Sequence, residues 1–464
     1  MTEPSIGALR LAPLLYLVCF SFACRAQDAP VEQVNWRYDE DWSKLRGRDP
    51  ATLPGWATVK YQPLDSSGSI WISTGLEARM RYEGARISRP VEVARDDNVV
   101  WVRFLPHADL HAGPVRAFIQ GIAGYAPSLE RTPGPTDSTG IDLTQAFAEA
   151  KLPLGTTTLT VRAGRQLIAL GSERLLTARY GPNIPQPFDG YRAILTRANT
   201  TLSAFDFRAV AIGPGTLDDR TSDTRRIAGA YLTSPITGGL SADVYWLTYR
   251  NAAARYNQGA GAEQRGTAGL RMFGHAGRWS WNWEAILQWG HIGATDISAW
   301  SLATETGYSL RALPLHPKLT VRANIASGDR DPADRRLQTF TAMFPRGKYF
   351  GELSPVGPQN IVNLHGRLDF SLARNLSAGI SVEGYWRHRT GDGVYNLQGG
   401  LLQSGYGTGA RYIGTQEEAV LGWSPSAIWA FTASLSRFSS GALRSPGSLP
   451  RTLTQLGLEA RLRI

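Results

Sequence analysis

The chain has 464 residues, of which 42% are hydrophobic and 19% charged, and lysine plus arginine exceed aspartate plus glutamate by 49 − 39 = 10, which favours an acidic partner. The mean hydropathy is −0.22, and after residue 25 no apolar run approaches the roughly 20 residues of a membrane-spanning helix, which excludes a bundle of such helices. A soluble protein and a transmembrane β-barrel remain, and the 49 glycines, 14 tryptophans, 17 tyrosines and 15 phenylalanines favour the barrel.

The first residues have the pattern of a secretory signal peptide. Arg10 precedes an apolar run over 11–22, which is followed by small residues up to Ala26. We predict a signal peptide over residues 1–26, with cleavage after Ala26 or, alternatively, after Ala23; lipidation of Cys24 is the weaker alternative because the preceding residues form a poor lipobox. Both cysteines lie in this segment, so the mature chain would have no thiol for disulfides, metal binding or nucleophilic chemistry. Residues 27–67, polar and rich in Asp, Trp and Pro, are predicted to form a periplasmic lead-in.

From residue 68 onward, apolar and polar residues alternate with period two. Trp281, Trp283 and Leu287, for example, alternate with Asn282 and Glu284. Segments of about 10 to 14 residues with aromatic residues near their ends distinguish a membrane barrel from a soluble sandwich. The pattern predicts a monomeric antiparallel transmembrane β-barrel of about 18 strands over residues 68–464. The strands are predicted to start near residues 69, 98, 113, 141, 157, 188, 201, 223, 239, 263, 277, 297, 316, 360, 375, 409, 426 and 451.

The predicted connections alternate in length. Those after odd-numbered strands are mostly long, at 84–97, 123–140, 167–187, 212–222, 251–262, 328–359, 391–408 and 439–450. Those after even-numbered strands are mostly short. Long extracellular loops and short periplasmic turns are typical of outer-membrane barrels, and an even strand number places both termini in the periplasm. We therefore predict that the chain lies in the outer membrane, surrounded by its lipid, with an aqueous lumen inside.

Arginine dominates the polar face of the predicted strands, which we assign to the lumen. The arginines on this face are Arg79, Arg81, Arg103, Arg116, Arg162, Arg192, Arg208, Arg271, Arg322, Arg367, Arg387, Arg389, Arg461 and Arg463. The carboxylates on the same face are Glu77, Glu149, Asp206, Asp243, Glu284, Asp369, Glu383 and Glu459. Pairing of these groups across strands is the structural alternative. Because arginine is in excess, an anion-selective path is favoured over a path for cations.

Several motifs resemble those of the alginate export family of outer-membrane barrels. The two long matches are 162–192, which contains RAGRQ and FDGYR, and 327–365, which contains SGD, MFP and YFG, and a later match is RYIG at 411–414. The resemblance covers residues 70–464 and implies an 18-stranded barrel that passes an acidic exopolysaccharide through an Arg-rich pore. It implies that Arg165, Asp189, Arg192 and Arg411 lie in the polysaccharide path, and we expect the segment 328–359 to fold over or into the extracellular mouth. The family's long periplasmic gating loop near the C-terminus has no counterpart here, since the turn at 423–427 is short.

The predicted function is passive passage of an alginate-like polyuronate, guided by lumenal arginines that replace lost hydration and release the polymer again. The predicted path residues are Arg79, Arg81, Arg103, Arg162, Arg165, Asp189, Arg192, Arg322, Arg387, Arg389 and Arg411. An anion-selective or oligosaccharide-specific porin for small acidic solutes is the main alternative. Components of a periplasmic secretion apparatus are a possible class of partner.

Other classes of function have little support in the sequence. An outer-membrane enzyme is disfavoured because the seven histidines show no spacing typical of a catalytic triad. His107, Asp109 and His111 could bind a metal ion, but at a predicted periplasmic turn they are better interpreted as a solvated polar cluster. We predict no catalytic residues, no metal, no cofactor and no nucleic-acid partner.

Overall fold

A computed structural model of the protein describes residues 31–88, 98–129, 131–331, 333–406, 409–441 and 451–464. The predicted signal peptide lies outside these ranges. Within them, no helix has the length and apolar character needed to cross a membrane.

Eighteen long strands form one antiparallel sheet that closes into a barrel. Each strand pairs with its neighbours in the chain, and β1 also pairs with β18, for example through Glu77 opposite Arg463. The strands are β1 (Ile70–Ser88), β2 (Asn98–Ala112), β3 (Val115–Tyr125), β4 (Thr139–Leu154), β5 (Thr157–Gln166), β6 (Phe188–Arg197), β7 (Thr200–Ala211), β8 (Arg220–Thr237), β9 (Leu240–Tyr256), β10 (Gly259–Ala276), β11 (Trp279–Ile292), β12 (Thr295–Ser309), β13 (Lys318–Ala326), β14 (Ile361–Ala373), β15 (Leu376–Arg387), β16 (Tyr412–Trp423), β17 (Trp429–Ser440) and β18 (Thr452–Arg463). The predicted 18-stranded barrel is thus confirmed.

The predicted strand positions agree closely with the structure. The largest difference is at β10, which was predicted near residue 263 and starts at Gly259. The prediction of a long loop over 251–262 is wrong, because β9 and β10 continue through these residues and leave only a two-residue turn after Tyr256. This segment is rich in Ala, Gly and Asn, so its strands lack the apolar alternation that marks a lipid-facing wall.

The outer wall is apolar and the inner wall polar, as the alternation predicts. Trp283, Leu287 and Trp289 of β11 are exposed on the outer surface, whereas Glu284 and Gln288 between them are buried inside. Exposed apolar side chains of this kind face lipid in an outer-membrane barrel.

The lumen is not an open aqueous channel, in contrast to the prediction. Connection 167–187 and the described parts of connections 327–360 and 388–411 fold inward and form one apolar cluster with the wall. Phe344 contacts Phe188 and Tyr249, with ring centroids 5.0 and 5.9 Å apart. Residues 339–350, which we call the crossing segment, therefore span the lumen. Period two identifies the inward side of each strand, but it cannot reveal what fills the space there.

Short elements accompany the barrel. From residue 31 onward, four 3₁₀-helices precede it, at Arg37–Asp39, Trp42–Leu45, Pro50–Thr52 and Gly55–Ala57. Four strands of two or three residues lie at Gln62–Pro63, Arg336–Leu337, Val394–Tyr395 and Leu401–Gln403.

Residues 31–61 fill the periplasmic end of the barrel beside β1–β5, and we call them the plug. Tyr38 is buried between Phe118 and Phe147 of the inner wall, and its hydroxyl donates to the carbonyl of Leu167 at 2.9 Å. At the barrel's lower edge, Arg37 donates to the carbonyl of Ile464 at 2.9 Å. The predicted periplasmic lead-in therefore enters the barrel rather than extending away from it.

Candidate functional site

Two of the predicted path arginines anchor the first inward-folded loop. Arg79 donates to the carbonyls of Gly181 and Pro182 at 3.0 and 2.8 Å. Arg103 is completely buried, forms an ion pair with Glu77 at 2.7 Å and lies 4.6 Å from the ring centre of Tyr180. Both guanidinium groups are occupied by protein partners, so they hold loop 167–187 against the wall.

Four further path arginines lie in the other two loops or contact them. Arg81 forms an ion pair with Glu352 of loop 327–360 at 2.9 Å. Arg387 is completely buried and donates to the carbonyl of Thr390 at 2.7 Å. Arg411 is exposed and donates to the carbonyl of Arg387 at 3.2 Å. The half-buried Arg389 has a backbone amide that donates to Asn360 at 2.8 Å.

Arg162 and Arg192 lie opposite one another on β5 and β6, on the inner wall beside the plug. Arg162 forms an ion pair with Glu149 at 2.5 Å and lies 4.4 Å from the ring centre of Tyr38. Arg192 donates to the hydroxyl of Ser203 at 2.8 Å. In the same region, burial lowers the pKa of the plug residue Lys60 to about 7. Arg162 and Arg192 are therefore covered by the plug.

The register places Arg165 and Asp189 on the outer face of the barrel. They are partners on β5 and β6, and the adjoining pair Gln166 and Phe188 is completely buried on the inner face. Arg165 donates to both oxygens of Asp189, at 2.8 and 3.1 Å. The expectation that these two residues lie in the path conflicts with this orientation, because neighbouring strand residues face opposite sides.

Arg208 and Asp206 also face outward rather than into the lumen. They alternate on β7 with Phe205 and Phe207, which belong to the inner apolar cluster. Their polar character suggested the wrong face, because polar side chains also occur on the outer wall above the apolar band.

A cavity of about 130 Å³ lies below the crossing segment, and we call it the lower cavity. Its wall includes Asn282 and Glu305 from the periplasmic ends of β11 and β12. Arg322 lines it and pairs with Glu305 at 2.6 Å, with 24% of its side chain exposed. Arg346, at the end of the crossing segment nearest this cavity, is exposed and forms no ion pair with the residues the structure describes. With Arg174 and Glu383, the lining holds three arginines and two glutamates.

A larger cavity of about 700 Å³, the mouth cavity, lies on the extracellular side of the crossing segment. Its lining combines two tyrosines, Tyr249 and Tyr256, with amides that include Gln258 and Gln359. Gln359 is 5% exposed, and its carbonyl oxygen has no hydrogen-bond partner among the described residues. Aromatic rings beside unpartnered amides suit a ligand that carries several hydroxyl groups.

Two groups of residues have the composition of metal ligands, and the first consists of His107, Asp109 and His111. Asp109 is buried and accepts two hydrogen bonds from Arg116, at 2.7 and 2.6 Å, so the predicted solvated cluster around it is instead part of the packed inner wall. On the extracellular side, the carboxylate oxygens of Asp142, Asp218 and Asp219 lie within 4.8 Å of one another. Burial raises the pKa of Asp219 to about 6, and backbone amides already donate to all three carboxylates.

The sequence profile of the alginate export family matches residues 70–448, which is most of the barrel. The chain belongs to the alginate export family. A comparison with curated protein sequences finds no significant match. The family membership and the closed barrel together identify an outer-membrane channel.

Crystal structures of several Pseudomonas aeruginosa proteins have the same fold. OccK3 (OpdO) matches with a TM-score of 0.56 at 14% identity, covering 85% of this chain and 95% of that chain. OpdK with vanillate matches with a TM-score of 0.55 at 13% identity, covering 85% of this chain and 98% of that chain. OccK2 (OpdF) in complex with glucuronate matches with a TM-score of 0.54 at 15% identity, covering 85% of this chain and 96% of that chain. At these identities the likeness establishes the fold of this family member and nothing finer.

Sequence reasoning missed several residues of the two cavities. Arg174, Arg346 and Tyr349 lie in inward-folded loops, where no strand alternation indicates the direction of a side chain. A signal was nevertheless present, because Arg174 and Tyr349 stand within the family motifs and Arg346 directly follows MFP. Among the predicted path residues, only Arg322 lines the lower cavity.

Proposed function

We propose that this family member passes an acidic polysaccharide across the outer membrane. The observation that carries the proposal is that Arg346 of the crossing segment is exposed and lines the lower cavity together with Arg322. Arginine stays charged and binds carboxylates in a bidentate manner. A polyuronate has one carboxylate per sugar, so these side chains would replace part of its hydration.

The mouth cavity would receive the polymer after the crossing segment. It contains one exposed arginine, Arg255, among mostly amide and tyrosine side chains, so it would contact sugar hydroxyls more than carboxylates. Conduction requires sites weak enough to release what they bind. A charged lower cavity followed by a nearly neutral mouth meets this requirement. The crossing segment separates the cavities, so passage also requires this segment to move.

A channel for small acidic solutes is the second candidate. It is favoured by the crossing segment, which leaves cavities rather than a continuous wide pore. Structural neighbours have been crystallised with vanillate and with glucuronate, and both are carboxylates of small size. The same arginines would serve this function without movement of a whole polymer through the lumen.

Single-channel recording of the mature protein in planar bilayers tests both candidates. The test variant is Arg322→Gln/Arg346→Gln, and the matched control is Arg278→Gln/Arg311→Gln, which removes two exposed arginines from periplasmic turns. We expect the wild type to be anion-selective and to be blocked by oligomannuronate but not by a neutral oligosaccharide of equal length. The test variant should lose roughly tenfold in blocking affinity, equivalent to about 1.4 kcal/mol, while the control keeps it.

The outcomes separate the two functions. Block by the oligomer together with its appearance on the far side of a vesicle membrane supports polysaccharide passage. Permeation by monomeric glucuronate alone supports the small-solute channel. A cation-selective wild type, or one indifferent to both sugars, contradicts both proposals.

A further inference from the structure

Three arginines lie side by side on the outer wall of the barrel. Arg208 on β7 is the register partner of Arg226 on β8, and Arg226 is the partner of Arg250 on β9. Phe207 and Ile227, next to them in the chain, are buried in the inner cluster. Because successive strand residues face opposite sides, the guanidinium groups project from the outer surface.

The protein only partly neutralises this row, and like charges directly opposite one another destabilise a sheet. Arg226 forms an ion pair with Asp206. Arg208 pairs with Asp223 at 3.2 Å, but the Asp223 side chain is 91% exposed. Arg250 is exposed and forms no ion pair with any residue in the described ranges. An external anion would remove the remaining repulsion.

The row lies at the extracellular end of the apolar outer wall. On β9, the exposed Val244 and Trp246 precede Arg250 on the same face, with Trp246 being 56% exposed. On β8, outward Leu232, with the alanines at 230 and 228, leads to Arg226 in the same direction. This is the level at which the lipid hydrocarbon ends and the headgroups of the outer leaflet begin.

We propose that Arg208, Arg226 and Arg250 bind the phosphate groups of lipid A, the anchor of lipopolysaccharide in the outer leaflet. Guanidinium groups bind phosphate oxygens in a bidentate manner, and Trp246 below Arg250 would contact the acyl chains. The adjoining Arg165 is not included, because Asp189 already occupies it. The proposal rests on the outer-membrane location of the barrel and is independent of the transported solute.

Binding of purified lipid A to the detergent-solubilised mature chain, measured by native mass spectrometry, tests this site. The test variant is Arg208→Gln/Arg226→Gln/Arg250→Gln. Its matched control, Arg278→Gln/Arg311→Gln/Arg374→Gln, removes three exposed arginines at the periplasmic end. We expect the wild type and the control to bind bis-phosphorylated lipid A at least tenfold more tightly than the test variant does. The wild type should show the same preference for this lipid over dephosphorylated lipid A.

Several outcomes would overturn the proposal. Equal binding of the two lipids by the wild type would remove phosphate recognition, and this comparison remains decisive if the test variant fails to fold. An equal loss of lipid A binding in the test and control variants would indicate a general effect of the protein's net charge. Complete displacement of the lipid by millimolar inorganic phosphate would indicate a site for the free anion rather than for the lipid. Arg→Lys at the same three positions should retain part of the binding, because the charge remains but the bidentate geometry is lost.

Discussion

Individual arginines in this barrel differ in what surrounds them more than in where the sequence places them. Arg103 and Arg322 both face inward, yet Arg103 is completely buried beneath loop 167–187, whereas Arg322 lines a cavity. A buried cation with several partners stabilises structure, and removal of one partner leaves the opposite charge unmatched. Only an accessible cation can exchange its partners with a passing anion.

Replacement of Arg103 should therefore affect stability strongly. In Arg103→Gln, the buried Glu77 loses its ion pair at 2.7 Å and keeps the one with Arg463 at 3.0 Å. We expect a loss of about 3 kcal/mol in the free energy of unfolding, measured by denaturant titration in lipid vesicles. The half-buried Arg389, which has no ion pair among the described residues, supplies the control, and Arg389→Gln should cost no more than about 0.5 kcal/mol. Equal losses for the two variants would contradict the assigned roles.

Among the elements, the plug is the one that closes the periplasmic end of the barrel. The family's long C-terminal periplasmic loop has no counterpart, since only the residues between Trp423 and Trp429 connect β16 and β17. Residues 31–61 occupy the lumen from the opposite end of the chain, with Trp42 and Tyr38 buried. In this chain the periplasmic end of the lumen is therefore covered by a segment that precedes the barrel and packs against its inner wall.

Deletion of residues 31–61 should open this end of the lumen. Residues 31–61 contribute no strand to the closed sheet, and among the described residues their one backbone–backbone hydrogen bond to β1 runs from the N–H of Thr74 to the carbonyl of Val59. We therefore expect the variant to fold and to conduct severalfold more current than the wild type in planar bilayers. Tyr38→Ala, which removes one ring from the wall contact, should have a smaller effect in the same direction. A synthetic peptide of residues 31–61 added on the periplasmic side should restore the low conductance. An unchanged conductance in the deletion variant would show that the crossing segment alone limits the current.

At the scale of the whole molecule, the position of an exposed apolar residue relative to the membrane decides whether it contacts lipid or water. Leu287, in the middle of β11, is 63% exposed, and Leu217, in the extracellular connection before β8, is 72% exposed. Accessible surface alone does not distinguish them. In the membrane, Leu287 contacts lipid hydrocarbon, whereas Leu217 remains in water.

Arginine at these two positions should therefore have opposite consequences. Leu287→Arg should destabilise the barrel by about 2–4 kcal/mol, the range for a cation on the lipid face near the bilayer midplane. Leu217→Arg should change the free energy of unfolding by no more than about 0.5 kcal/mol. Reversible unfolding in lipid vesicles measures the free energy of unfolding of both variants. A small effect at Leu287 would contradict the membrane-embedded position of this part of β11.

The sequence by itself determined the barrel, because the period of two in each strand and the length of each connection are local properties. Positions such as the start of β6 at Phe188 follow directly from them. Its arginine content also predicts an acidic substrate class, which stays a prediction. The same local logic failed at Asp206 and Arg208, where polar residues above the apolar band face outward.

Only the tertiary structure decided which cations remain accessible. Loops 167–187, 327–360 and 388–411 and the plug carry no periodic signal, and their contacts join residues far apart in the chain, as in Arg81 with Glu352. Those contacts convert most predicted path arginines into anchors and leave Arg322 and Arg346 beside a cavity. The physical reason is that an ion pair depends on distance in space, which strand alternation alone does not specify.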